Sequence, residues 1–141
     1  MSFMLTTDQV RARDKTVTRR AGWEKLRPGD LLCAVVKGMG LKAGETVQRL
    51  AIIRVLNVRR EPLEAMTVDV DYGFEECIKE GFGDHPSLRF PSEFVAFFCA
   101  SHRGCTPNTV ITRIEFEYVD DVPAHEVGAV KHSQTSGTMR A

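Results

Sequence analysis

The chain has 141 residues, 43% of them hydrophobic, and its 19 basic and 19 acidic side chains cancel. That length and apolar share are enough for one globular domain with its own core and no disulfide or metal staples. The cancelled charge excludes a global field that would hold a long nucleic acid nonspecifically, and leaves room only for local basic patches.

Thr7-Asp8 supplies a cap for a short helix over Gln9 to Arg13, which delivers Lys15 to the next element. Thr16 to Arg20 favours a strand. Alternate residues of a strand share a face, so Thr18 and Arg20 are expected on one side and Val17 and Arg19 on the other. Leu26-Arg27-Pro28-Gly29-Asp30 reads as a turn and Leu31 to Val36 as a buried strand, while Gly38, Gly40 and Gly44 mark an excursion between two arms of a long hairpin. Val47 to Arg60 suits a long strand ending at Glu61-Pro62, with Pro62 opening a short helix. Leu50 to Val58 is the most apolar central run; Arg54 and Asn57 break it, so membrane insertion is not expected.

Asp71 to Lys79 sets Phe74 and Ile78 four apart, with Cys77 on an adjoining stripe, and stops at Gly81, which puts Glu80 at a helix end. Ser92 is expected to cap an apolar helix whose Phe94, Val95, Phe97, Phe98 and Cys99 face the core. A turn over Gly104 to Asn108 leads into the clearest strand, Thr109 to Val119, with Glu115 and Glu117 on its outward face. Apolar density falls from Asp120 onward. The expected organisation is one domain over residues 1–120 and a flexible tail over 121–141, without fixed structure beyond about residue 125. Cys33, Cys77, Cys99 and Cys105 lack the paired short spacing of a zinc ribbon, and no charged-then-apolar leader precedes them; they read as reduced thiols of a cytoplasmic protein. His85 and His102 read as loop histidines.

The stretch Lys15-Thr16-Val17-Thr18-Arg19-Arg20 carries three cations and two hydroxyls within six residues, and reads as one wall of a polar pocket. Taken with the preceding helix, Pro28-Gly29-Asp30, the paired strands, Glu80-Gly81-Phe82, the apolar helix and the closing strand through Phe116-Glu117-Tyr118, it resembles the ASCH domain family over roughly residues 3–119. In that family a lysine-threonine-x-threonine-x-arginine segment follows the first helix, matched here by Lys15, Thr16, Thr18 and Arg20. The resemblance implies an α+β fold, a small PUA-like mixed β-barrel flanked by short helices. It also implies a kinship with members that remove the acetyl group from N4-acetylcytidine through a lysine, a threonine and a glutamate. Those positions are Lys15, Thr18 and Glu80 here. The family's usual glycine two positions before the lysine is Arg13 in this chain, and the Gly38 to Gly44 and Gly104 to Asn108 regions are longer than in minimal members.

Amide hydrolysis needs an activated nucleophile, a stabilised oxyanion and a proton for the leaving amine. A desolvated Lys15 beside Arg19 and Arg20 is suited to lose its proton and act as base toward Thr18 or water, and Glu80 to protonate the leaving nitrogen. Arg20 keeps its charge and is suited to hold a carbonyl oxygen or to orient Glu80. Thr16, Arg19, Arg20 and Trp23 are the candidate substrate-binding residues, Trp23 being either a base-stacking platform or a plug under the Pro28-Gly29 turn. No cofactor or metal is expected. The partner is a modified cytidine nucleoside or RNA, and two function classes stand: an amidohydrolase on N4-acylated cytidine, or a non-catalytic RNA or modified-base binding module whose Lys15, Arg19 and Arg20 touch phosphate.

Overall fold

Strand-favouring residues build a five-stranded sheet in the order β1-β4-β3-β2-β5. Its strands are β1 (Val17–Arg20), β2 (Leu31–Val35), β3 (Arg49–Pro62), β4 (Val110–Val119) and β5 (Val130–Lys131). Four short helices accompany them: α1 (Thr7–Arg11), α2 (Ala65–Val68), α3 (Val70–Cys77) and α4 (Pro91–Ser101). The computed structural model describes residues 1–38, 42–122 and 128–131.

All pairings are antiparallel except β2 with β5. The long β3–β4 ladder is the spine, running from Ile52 opposite Val119 to Pro62 opposite Val110, with a register shift between Val55 and Asn57. There the extra residue bends the strand and leaves Leu56 exposed. β1 docks on β4 with Thr18 opposite Ile114 and Arg20 opposite Thr112.

The closed barrel implied by the family resemblance is absent among the described residues: β1 and β5 are the two ends of the sheet and do not pair. Closure needs edge strands long enough to bond each other at a consistent tilt. β1 has four residues and β5 two, and the left-handed backbone at Gly22 and Trp23 (φ 87° and 56°) ends β1's direction immediately.

Two apolar clusters hold the sheet. One gathers Phe3, Val10, Leu26, Leu32, Ile53, Val55, Ile114 and Phe116. The other packs α2, α3 and α4, through Met66, Cys77, Phe94, Val95 and Phe98, onto Leu63 and Ile111 at the far end of the β3–β4 ladder. With an apolar cluster on each side there, Ile111 to Ile114 are all buried and the simple alternation expected for this strand is lost.

The helices differ from the sequence expectation at several positions. Pro62 ends β3, and α2 starts only at Ala65. α4 begins with Pro91 in its first turn and Phe90 in front, so Ser92 lies inside the helix and is not its cap. Phe74 and Ile78, four apart on one stripe, are 41% and 61% exposed, while Glu76 and Cys77 beside them are buried. A short apolar periodicity could not reveal that this helix turns a carboxylate inward. Residues Val130–Lys131 pair with Leu31 and Leu32, and Lys131 Nζ lies 3.0 Å from Asp30 Oδ2. Fixed structure therefore recurs past residue 125, where none was expected. The expectations for 132–141, and for Gly40, lie outside the described residues.

Candidate functional site

Lys15 and Glu80 are 65 residues apart in sequence, and backbone geometry brings them together. α3 widens after Cys77 into a single π-type turn over Ile78–Phe82, in which Gly81 takes φ 98°. Only glycine adopts that conformation without strain. A Cβ at Gly81 would sit 2.8 Å from Gln9 Cγ and 2.9 Å from Gln9 Cβ, so α1 closes directly over the turn. The amide of Thr16 donates to the carbonyl of Lys79 at 2.8 Å, and the Tyr118 hydroxyl donates to the carbonyl of Lys15 at 2.6 Å. Those bonds fix the start of β1 against the π turn.

Lys15, 2% exposed, donates from Nζ to Glu80 Oε1 at 2.7 Å and to the Glu80 carbonyl at 2.8 Å. Burial pushes its pKa below the ordinary lysine value, Glu80 opposes the shift, and the Arg20 and Arg19 charges add to it. A neutral amine has two N–H bonds, both of which Glu80 can accept, and it keeps a lone pair. Thr18 is 3% exposed, and its Oγ1 accepts from Arg20 Nε at 3.1 Å. Arg20 also donates from Nη2 to the Ser2 carbonyl at 2.6 Å and lies over the Phe3 ring at 4.7 Å. Burial lowers its pKa to about 10, against the pull of Glu80, so it remains a cation at neutral pH.

Lys15, Thr18, Arg19, Arg20 and Glu80 all line one cleft of about 320 Å³. Its other wall is aromatic, formed by Phe3, Phe82, Phe94, Phe97 and Phe98, with Ser101 and His102 at the end of α4. Phe97 was expected in the core; it is 39% exposed and belongs to this wall. The strand reading of Thr18 and Arg20 as neighbours on one face holds, and Val17 is fully buried.

The substrate-binding residues divide. Arg19 is tied into a buried carboxylate cluster: Nη1 donates to Glu80 Oε2 at 3.0 Å, and Nη2 to Glu76 Oε1 at 2.6 Å and Glu61 Oε2 at 3.2 Å. Burial works against its charge, but Glu80 and Glu76 outweigh that and raise its pKa. Of the two roles read for Arg20, holding a carbonyl oxygen or orienting Glu80, the direct hydrogen bond to Glu80 is made by Arg19. Thr16 contributes its backbone to the β1 anchor and is not among the cleft-lining residues. Trp23 packs half-buried against the first apolar cluster and is not among the cleft-lining residues, which fits the plug of its two sequence readings.

Sequence reasoning missed Glu76, Glu61 and Arg113. Arg113 Nε donates to Glu76 Oε1 at 2.5 Å and its Nη2 to Glu76 Oε2 at 3.0 Å. Burial alone would raise the Glu76 pKa, but the Arg113 hydrogen bond and the Arg19 charge hold it at about 2. The single signal available was Arg113 interrupting an apolar strand. Arg13 adopts φ 62° and is held by an ion pair with Asp120 and by the Tyr118 ring 5.5 Å away. His85 Nδ1 accepts from the amides of Ser87 and Leu88, as a loop histidine should. No group of three or more His, Cys, Asp or Glu arranged to hold a metal ion occurs among the described residues, and none of their helices is long and apolar enough to cross a membrane.

The fold and cleft define a small α+β domain with a carboxylate-paired lysine facing an aromatic wall. Protein EF3133 from Enterococcus faecalis V583, described under the family model DUF984, shares this fold: its crystal structure superposes with a TM-score of 0.54 over 92% of this chain and 77% of that one, at 20% identity. An ASCH domain from Lactobacillus crispatus JV V101 superposes with a TM-score of 0.47 over 81% of this chain and 70% of that one, at 13% identity. The first likeness establishes the fold alone, and the second is too distant to carry an argument. No family model and no curated protein matches the sequence.

Proposed function

We propose that the protein is an ASCH-type amidohydrolase that acts on N4-acylated cytidine or a related modified nucleoside without a metal. The observation that carries this reading is the buried contact of Lys15 Nζ with Glu80 Oε1 at 2.7 Å, in the cleft that Thr18 also lines. A lysine depressed by burial and bonded to a carboxylate is a base joined to a proton carrier.

In the proposed reaction Thr18 Oγ1 attacks the acyl carbonyl while the Lys15 amine takes its proton. The new C–O bond forms as the carbonyl π bond opens and its electron pair moves onto the carbonyl oxygen; Arg20, a cation beside Thr18 Oγ1, lowers the energy of that oxyanion, which collapses to restore the carbonyl as the C–N bond breaks. Lys15 passes the proton to Glu80, and Glu80 hands it to the exocyclic nitrogen as the C–N bond breaks. Lys15 is again neutral and Glu80 ionised. Water then releases the acyl group from Thr18 by the same relay, the proton returning to Thr18. Arg19 holds Glu80 aimed at Lys15 throughout.

The alternative, a binding module that contacts phosphate with Lys15, Arg19 and Arg20, has less support. Lys15 and Arg19 are buried and committed to carboxylates, and Glu80 between them repels an anion. Incubation of the purified protein with a panel of N4-acylated cytidines, with cytidine release followed by chromatography, tests the proposal. Absence of release across the panel, with retained RNA affinity, would favour the binding module.

A further inference from the structure

The end of α4 carries a second pair of reactive groups, separate from the residues used for hydrolysis. Cys99 in the last turn of α4 and Cys105 in the turn that follows bring their sulfurs to 3.6 Å, Cys105 Sγ donating to Cys99 Sγ. Both are free thiols and both are partly exposed, whereas Cys33 and Cys77 are buried. Cys105 Sγ also meets the Thr106 carbonyl at the surface, 3.7 Å away. The backbone holds the pair in place. The amide of His102 donates to the Cys99 carbonyl at 3.4 Å, the amide of Cys105 donates to the His102 carbonyl at 3.1 Å, and Gly104 takes φ 76°. That left-handed glycine lets the chain fold back within so few residues. Sulfurs already in contact need an approach of only about 1.5 Å to reach disulfide length. Ser101 and His102, which line the cleft, lie inside the loop that such a bond closes.

We propose that Cys99 and Cys105 form a redox modification site, a dithiol that a hydroperoxide closes to a reversible disulfide, clipping the α4 end of the cleft. The proposal stands whichever ligand the cleft takes. Burial and the neighbouring Cys105 thiol hold Cys99 above the ordinary thiol value, so Cys99 keeps its proton at neutral pH and acts second. Cys105, in the surface turn, acts first. Its sulfur bonds one peroxide oxygen, the O–O bond breaks, and the other oxygen leaves with the thiol proton, as water when the oxidant is hydrogen peroxide. The Cys99 sulfur then bonds the Cys105 sulfur, the S–O bond of the sulfenic acid breaks, and the departing hydroxide takes the Cys99 proton as a second water. The two thiols lose two electrons and two protons, and the peroxide takes up both.

The test treats reduced wild type with hydrogen peroxide, alkylates the remaining thiols in denaturant and maps the tryptic peptides. Cleavage after Arg103 separates the two cysteines, so Phe90–Arg103 joined to Gly104–Arg113 reports the bond directly. The expected result is that joined pair, two hydrogens lighter than its separate peptides, with alkylation at Cys33 and Cys77 only and at all four cysteines after dithiothreitol. In the oxidised protein the amides of His102 and Cys105 should exchange with solvent about tenfold more slowly, because the closed ring suppresses the local opening that exposes them. Four alkylated cysteines after peroxide, sulfinic acid at Cys105 without a link to Cys99, or a bond through Cys33 or Cys77 overturns the proposal. Unchanged exchange at those two amides in the linked protein overturns the clip. Cys99→Ser should halt Cys105 at the sulfenic acid, which dimedone traps there and not in wild type. A folded Cys99→Ser protein that forms no dimedone adduct at Cys105 overturns the assignment of Cys105 as the sulfur that reacts first.

Discussion

Lys15 is the residue on which the chemistry turns, because its burial and its bond to Glu80 pull its proton affinity in opposite directions and burial prevails. Turnover under the relay requires the neutral amine. Since the depressed pKa belongs to a base that acts when unprotonated, kcat/KM should rise with pH and level off below the ordinary lysine value. Lys15→Arg should lower turnover about 10²–10⁴-fold, because a guanidinium keeps its proton. Full deacylation by that variant would remove Lys15 as the base. Glu76 is the structural counterpart. Replacing it with alanine leaves Arg19 and Arg113 buried without their shared carboxylate, a loss on the order of 3–5 kcal/mol. Urea denaturation should register that as a lower midpoint, and a change under about 1 kcal/mol would mean the guanidinium groups find other partners.

Among the elements, the π turn has the largest local effect, since it turns Glu80 from a surface helix end into the floor of the cleft. Gly81→Ala would place a methyl group against Gln9 in a left-handed backbone. The strain is about 1–2 kcal/mol. The variant should therefore melt lower and lose more deacylation than its small stability loss explains, because Glu80 shifts relative to Lys15. Activity equal to wild type would show that the turn does not position the carboxylate. β5 is the second case. Truncation after residue 122 removes the parallel partner of β2 and the Lys131–Asp30 ion pair, and should lower the melting temperature by several degrees, consistent with about 1 kcal/mol. An unchanged melting temperature would restore the reading of this segment as a dispensable tail.

For the whole molecule, the carboxylate-guanidinium cluster couples folding to pH. Glu76 has a folded pKa of about 2 against 4.5 for the free side chain. A carboxyl depressed on folding contributes stability fully above its unfolded value and loses it as pH falls toward the folded one. The contribution, about 3 kcal/mol, should therefore be present at neutral pH and fade between about pH 5 and 2. Unfolding free energies measured across that range should fall steeply in wild type and less steeply in Glu76→Gln. Parallel slopes would assign acid sensitivity to other carboxylates.

The local rules written into the chain settled the strand at Val17–Arg20, its facing, the long β3 and β4 strands, the apolar α4, and the glycine stop beside Glu80. Each depends on neighbours two to four residues away, and periodicity or a turn residue records such relations. The pairing of Lys15 with Glu80 was legible through the family resemblance and not through the residues themselves. Tertiary structure alone decided the rest. It assigned Arg19 to Glu61, Glu76 and Glu80, because three carboxylates from separate elements converge on one guanidinium. Phe97 and His102 went to the cleft because the packing of α4 with α2 and α3 onto Leu63 and Ile111 covers its other face. The sheet stayed open because closure depends on edge strands finding each other, which no local pattern encodes. Charged residues such as Glu76 and Arg113 look like surface in a sequence, and only long-range packing can bring opposite charges together in a site closed to water.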